Sequence, residues 1–167
     1  MNFARKNDIQ KGGFTGFLTI SALQISRCCE VPKMPGVYLV LRPNTSPPNF
    51  LDRSMGGHYK GKNPKVRVRE LDSKWIEGTL VLYIGKAGPG KATLRSRLNA
   101  YMRFGKGKRA GHWGGRYIWQ LGQSGDLLMC WKVTSDEARA KPMESDLIRK
   151  FKKAHSKLPF ANLQTPS

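Results

Sequence analysis

Leu82-Tyr83-Ile84-Gly85-Lys86-Ala87 closes an apolar run that begins at Thr79. Residues 79–84 read as a strand. The glycine and lysine after it mark where the chain leaves the core. A second run, residues 37–41, follows Pro35-Gly36 and begins with Val37-Tyr38. It is apolar at every position, which predicts a strand covered on both faces. The two runs set the frame for everything else. Leu94, Leu98, Tyr101 and Met102 recur at helical spacing and predict a helix over 92–104. Thr134-Ser135-Asp136-Glu137 resembles a capping box that opens a helical region. Pro142 should kink that region or begin a new helix. Met143, Leu147, Ile148, Phe151 and Ala154 define the last helix.

The remaining segments are read in the same way. Residues 1–13 are polar and basic, as expected of a loose arm. A short helix is expected within 17–30. Residues 43–61 are rich in Pro, Asn and Gly, as loops are. Val66-Arg67-Val68-Arg69 alternates and suggests an exposed basic edge strand. Residues 117–121 and 127–133 read as further strands. Strands interspersed with a few helices place the chain among mixed α/β or α+β domains. Its 167 residues suffice for one domain with a real core.

Charge narrows the partner. Thirty Lys and Arg stand against 11 Asp and Glu, a net charge of +19. Residues 60–116 alone hold 15 basic residues against three acids. Self-repulsion on that scale calls for a polyanionic partner, and nucleic acid is the natural one. No basic amphipathic anchor helix stands out, so a membrane partner is not expected. Three cysteines, Cys28, Cys29 and Cys130, form no CxxC pair and no even set. That argues against a disulfide framework or a structural zinc site, and points to a reducing, cytoplasmic setting. GKAGPGKAT, residues 85–93, nearly matches a phosphate-binding loop. Ala92 stands where the metal-binding hydroxyl should be, so no nucleotide cofactor is expected.

Candidate chemistry rests on a few residues. With Met143 at zero on a helical wheel, the apolar residues of the last helix span roughly 0–140° and Glu144 falls near 100°. A carboxylate inside the apolar stripe needs a cation or hydrogen-bond donors. A metal ion and a structural ion pair suit it equally well. Asp146 faces the opposite side and should be solvated. Arg97 borders the apolar stripe of its helix, one turn before Tyr101, where a guanidinium can grip a phosphate or simply snorkel. Lys86 could contact phosphate or tune a tyrosine. His58, His112 and His155 are isolated and read as surface residues or nucleic-acid contacts. Loop 105–117 interleaves Lys106, Lys108, Arg109 and Arg116 with Trp113 and Tyr117, a mixture suited to backbone contact and base stacking. Arg95 and Arg103 read as further electrostatic contacts. Trp119 and Trp131 read as core.

Taken in order, these elements resemble the GIY-YIG nuclease family. They are Pro35-Gly36-Val37-Tyr38, Leu82-Tyr83-Ile84-Gly85-Lys86-Ala87, Leu94-Arg95-Ser96-Arg97-Leu98 with Tyr101, Glu144 before Leu147-Ile148, and Leu158-Pro159 with Asn162. The resemblance spans residues 35–163. It implies an α+β domain with a central three-stranded antiparallel sheet flanked by helices. Residues 1–34 would form an N-terminal arm and short helix, and 164–167 a tail. It further implies a metal-dependent endonuclease that hydrolyses phosphodiester bonds in DNA. Tyr38 or Tyr83 would activate water, Arg97 would bind the scissile phosphate, and Glu144 would hold one Mg²⁺ or Mn²⁺. Lys86 and Tyr101 would assist, and Asn162 would brace the site. The family's short hairpin is replaced by a long connection, with a basic insertion at 43–78. Lys60, Lys62, Lys65, Arg67, Arg69 and Lys74 there are expected to touch DNA, expected to be double-stranded. A restriction-type role would favour a homodimer; a phage or mobile-element role and a repair-like role are the other settings. Two alternatives stand beside this: a catalytically silent nucleic-acid-binding protein of the same fold, and an RNA-directed nuclease.

Overall fold

The computed structural model describes residues 1–88 and 90–165, apart from the side chain of Glu137. The elements are α1 (Lys6–Lys11), β1 (Thr15–Thr19), α2 (Ile20–Ser26), β2 (Gly36–Leu41), α3 (Val68–Lys74), β3 (Val81–Ala87), α4 (Leu94–Gly105), β4 (Leu128–Val133) and α5 (Glu137–His155). Two 3₁₀ turns, Arg116–Gln120 and Ser124–Asp126, precede β4. The architecture is α+β. No helix among the described residues is long and apolar enough to cross a membrane.

The sheet has four antiparallel strands in the order β1-β4-β2-β3, not three. The fourth is β1, whose last three residues fall in a segment expected to be helical. Only Ile20 onward forms that helix, opened by the Thr19 side chain accepting from the Ala22 amide. β1 is irregular, with a register break between Gly16 and Leu18 and positive φ at Phe17, so no clean alternation announces it.

β2 is central, and all six of its residues are buried. Its alternation divides two apolar layers. Tyr38 and Val40 join the layer of α2, α4 and the first 3₁₀ turn. Val37, Leu39 and Leu41 join the layer of α5 and the N-terminal residues. Phe151 of α5 is fully buried there and meets the Phe3 ring edge-on at 5.1 Å. Residues 1–13 are therefore not a loose arm. Phe3 and Ile9 are core, and the Phe3 carbonyl accepts from the Leu80 amide.

β3 is an edge strand, and its outer side is closed by a side chain. Asn162 Oδ1 accepts from the Ile84 amide at 2.9 Å, and its Nδ2 donates to the Ile84 carbonyl at 2.8 Å. One residue thus replaces a neighbouring strand at this point. Leu82 bulges out of the β2 register, and its carbonyl accepts from Ala161.

Three other expectations change. Residues 66–69 form no strand. The Val66 amide donates to Gln120 Oε1, and α3 begins at Val68 with Leu71 buried beneath it. Residues 117–120 lie in a 3₁₀ turn whose Tyr117, Ile118, Trp119 and Gln120 are all buried, a pattern that looks like a covered strand in sequence. α5 runs unbroken through Pro142, because only the carbonyl four residues back loses its helical donor, near the helix start. Its cap is Asp136, which accepts from the Arg139 amide, rather than Thr134.

Gln120 also organises the β2–β3 connection, residues 42–80. Besides accepting from Val66, its Nε2 donates to the carbonyls of Leu51 and Val66, both at 2.8 Å. The connection is tied down further by Phe50, which stacks on Phe160, and by Tyr117, which donates to Glu70.

Candidate active site

The β2–β3 register sets the geometry. Tyr38 lies opposite Gly85, and Val40 lies opposite Tyr83. The two tyrosines are therefore diagonal neighbours on one face, with ring centroids 6.0 Å apart. The Tyr38 ring lies over Gly85. A Cβ there would stand 2.5 Å from Tyr38 Cζ and 2.6 Å from its hydroxyl. Gly85 is required because the phenol occupies the space of a side chain.

Lys86 points to the other face, toward α5. Its Nζ donates to Glu144 Oε2 at 2.8 Å. Glu144 is 8% exposed, as its place in the apolar stripe demands, and Lys86 answers its charge. Because β3 is an edge strand, residues from both faces can meet around it. Tyr83, Lys86, Arg97 and Glu144 line one cavity of about 300 Å³ together with Ala87, Gly88 and Ala92. Tyr83, Lys86 and Glu144 also line an adjoining cleft of about 770 Å³, whose far walls include Trp113, Arg116, Lys141 and Asn162. A separate cavity of about 280 Å³ under Arg42 and Trp75 holds none of these residues.

Tyr38 and Tyr101 line neither cavity. Both are sealed, with no exposure. Tyr101 donates to the Gly115 carbonyl at 2.7 Å. Arg97 is half-buried and donates through Nη1 to the Gly111 carbonyl at 3.0 Å.

His112 corrects the surface reading. It is fully buried, stacks on Tyr101 with centroids 3.8 Å apart, and places Nε2 2.7 Å from the Tyr38 hydroxyl. Among the described residues its Nδ1 meets no hydrogen-bond partner. An unpartnered buried polar atom costs about 1–3 kcal/mol. Its only forewarning in sequence is the run of glycines around it. At Gly115 a Cβ would approach the Tyr101 hydroxyl to 2.6 Å.

Electrostatics follow burial. Desolvation pushes the Tyr38 and Tyr101 phenols well above their usual range, and raises Tyr83 as well. For His112, burial first and the nearby Arg97 charge second hold the pKa well below that of a free imidazole. Burial works against charge on Arg97, but Tyr38, Tyr83 and Glu144 outweigh it and keep the guanidinium firmly protonated. All three tyrosines and the histidine are neutral at pH 7, around one fixed cation.

The expected nucleic-acid contacts divide. Lys60, Lys62, Lys65, Arg67, Arg69, Arg103, Lys106, Lys108 and Arg109 are exposed, and Lys74 is half-buried. Arg95 is spent elsewhere: its Nε and Nη2 donate to the carbonyls of Val31 and Cys29, both at 2.7 Å, fastening the turn after α2. Arg116 lies over the Trp113 and Tyr117 rings at 4.6 and 5.2 Å. Tyr117 is buried, so it offers no free face for a base. Asp146 is partly exposed and pairs with Arg149 and Lys150, and Trp119 and Trp131 are core. The phosphate-loop reading of 85–93 includes Pro89 and so extends outside the described residues, as does the 164–167 tail at its last two positions.

Comparison with known proteins returned no matching family model, no matching curated protein and no matching solved structure.

Proposed function

We propose that the chain is a metal-dependent endonuclease that hydrolyses phosphodiester bonds in DNA, of the GIY-YIG type. The observation that carries this reading is the meeting of Tyr83, Lys86, Arg97 and Glu144 beside the edge strand β3, in one cavity. A protonated guanidinium fits a phosphate, since it offers a planar fork of donors. Lys86 adds a second cation beside it. The net charge of +19 supplies the long-range attraction to a polyanion.

The residues fit a divalent ion of the Mg²⁺ class. Among the described residues no three His, Cys, Asp or Glu side chains cluster. Mg²⁺ needs no such cage, because it commonly binds one or two carboxylates and completes its shell with water and substrate phosphate oxygens. Glu144 is that carboxylate. When bound, such an ion offsets charge on the reacting phosphate and lowers the pKa of water. The chain's own residues do the rest. Arg97 holds the phosphate. Lys86 keeps Glu144 in place and adds charge. Tyr83, the tyrosine that lines the cleft, orients the attacking water, while Tyr38 supports it from behind.

Supercoiled plasmid incubated with Mg²⁺ or Mn²⁺ tests the proposal. The wild-type chain should nick or linearise it, and Glu144→Gln should not. Tight binding without cleavage in either ion would leave the silent binding protein as the better reading. Preferential cleavage of an RNA competitor would reassign the substrate.

A further inference from the structure

The cleft beside the cavity of Arg97 and Glu144 continues past Glu144. At one end it shares Tyr83, Lys86 and Glu144 with that cavity. At the other it shares Ile148 and Thr165 with a third hollow of about 460 Å³ against α5. The three make one groove that leads from Arg97 to Lys153. We propose that its α5 end is a track for the DNA backbone, in which Lys141, Lys152 and Lys153 hold phosphates to one side of the bond at Arg97. This deepens the endonuclease reading and rests on it for the identity of the polyanion.

The sequence of α5 builds the track. Leu147 and Phe151 face the core layer shared with β2. Lys141, Ser145, Ile148 and Lys152 follow one another at intervals of four, three and four residues, so they lie in one line on the helix beside that apolar stripe. Ile148 is buried and forms the floor, and the three lysines are exposed. From Glu144 to Lys153 the helix rises about 14 Å. A DNA strand carries one phosphate per ~3.4 Å of duplex axis, so a path along α5 brings these lysines about four phosphates from the reacting bond.

The charges point the same way. Among the described residues the lining of the whole groove holds a single acid, Glu144, and Lys86 already answers it. Arg149 also lines the groove, but Asp146 holds it at 2.7 Å. Lys152 and Lys153 form no ion pair with any described residue. Cations gathered in a concave surface without counter-ions repel one another and gain from a polyanion laid between them. None of the insertion or loop residues expected to touch DNA belongs to α5, so this is a separate wall of the interface.

Fluorescence anisotropy of a labelled DNA duplex in Mg²⁺-free buffer tests the track. Lys152→Gln/Lys153→Gln removes two phosphate contacts. The slope of log affinity against log salt should become shallower by ~1.8, and affinity at ~0.1 M salt should drop at least about ten-fold. Lys6→Gln/Lys11→Gln removes the same charge from α1, next to β1 at the opposite edge of the sheet from β3, and should leave the slope nearly unchanged. Equal effects of the two pairs would reduce the interaction to net charge and overturn the track. So would a lower Tm with unaltered DNA affinity, which would leave the lysines as cations serving the C-terminal end of the α5 dipole. Plasmid cleavage keeps the two readings apart. Wild-type cleavage with unaltered binding by Lys152→Gln/Lys153→Gln removes the track alone. A wild-type chain that binds through these lysines without cutting removes the nuclease reading alone, and one that binds no DNA overturns both.

Discussion

His112 should make the fold itself acid-sensitive. Its imidazole is buried among Tyr38 of β2, Tyr83 of β3, and Arg97 and Tyr101 of α4, with Arg97 the one charged group facing it among the described residues. Its folded pKa lies well below the ordinary 6.5, first through burial and then through Arg97. In the unfolded chain the imidazole titrates near that ordinary value. As pH falls below about 6.5, the unfolded state takes up a proton that the folded state refuses. Stability from this group is therefore complete above the unfolded value and is lost on acidification, down toward the folded value. One proton is worth about 1.4 kcal/mol per pH unit, so the loss between pH 6.5 and 5 approaches ~2 kcal/mol. In a chain of this size that is about 4–8 °C in Tm. The perturbation is His112→Phe, and the assay is urea unfolding of both proteins at constant ionic strength at pH 8, 6.5 and 5. His155, also shifted down by burial, and the carboxylates titrate alike in both proteins, so they drop out of the difference. The wild-type advantage over His112→Phe should shrink by ~2 kcal/mol between pH 8 and 5. Parallel curves across that range would show that the imidazole is not buried as a neutral group.

Other outcomes follow from the same geometry. Glu144→Gln should abolish plasmid cleavage by at least about 10³-fold while DNA affinity, measured by fluorescence anisotropy, changes little; equal loss of both would make Glu144 only the partner of Lys86. Gly85→Ala drives a Cβ to 2.5 Å from Tyr38 Cζ and should cost about 1–3 kcal/mol in chemical unfolding and most of the cleavage. Gln120→Ala removes three hydrogen bonds that hold residues 51 and 66, so limited proteolysis should cut within 43–66 far faster than in the wild type. If DNA binding neutralises ~6 phosphates, log affinity should fall against log salt with a slope near about −5, and a flat response would refute an electrostatic interface.

Which parts of this molecule were legible in sequence follows from how far each signal reaches. The β2 and β3 runs, α4, and the burial of Glu144 rest on patterns within a single element, where a side chain's face is shared with neighbours two residues away in a strand and three or four away in a helix. Glu144 illustrates both the reach and the limit. The wheel predicts its burial but leaves ion and ion pair equal, and only the packing of α5 on β3 brings Lys86 to it, 58 positions away. β1 is hidden in sequence because a bulge erases the alternation that would reveal a strand. Gln120 reads as part of a strand because four consecutive buried residues look the same in a 3₁₀ turn.

His112 is the hardest case, and it shows what to look for. A loop residue's environment is assembled by other segments, here β2 and α4, so its own neighbours carry no periodicity to read. What they carry is a spacing constraint. Gly111 presents its carbonyl to Arg97, and Gly115 presents its own to Tyr101. A side chain at Gly115 would strike the Tyr101 hydroxyl, while one at Gly114 would stand 3.4 Å from the Tyr83 hydroxyl. A basic loop free in solvent has no need for so close an approach to three aromatic residues of the core. Glycines on both sides of a lone histidine are therefore better read as a loop pressed inward than as a flexible arm, and the basic residues that precede them on the same loop, Lys106, Lys108 and Arg109, remain exposed around the buried imidazole.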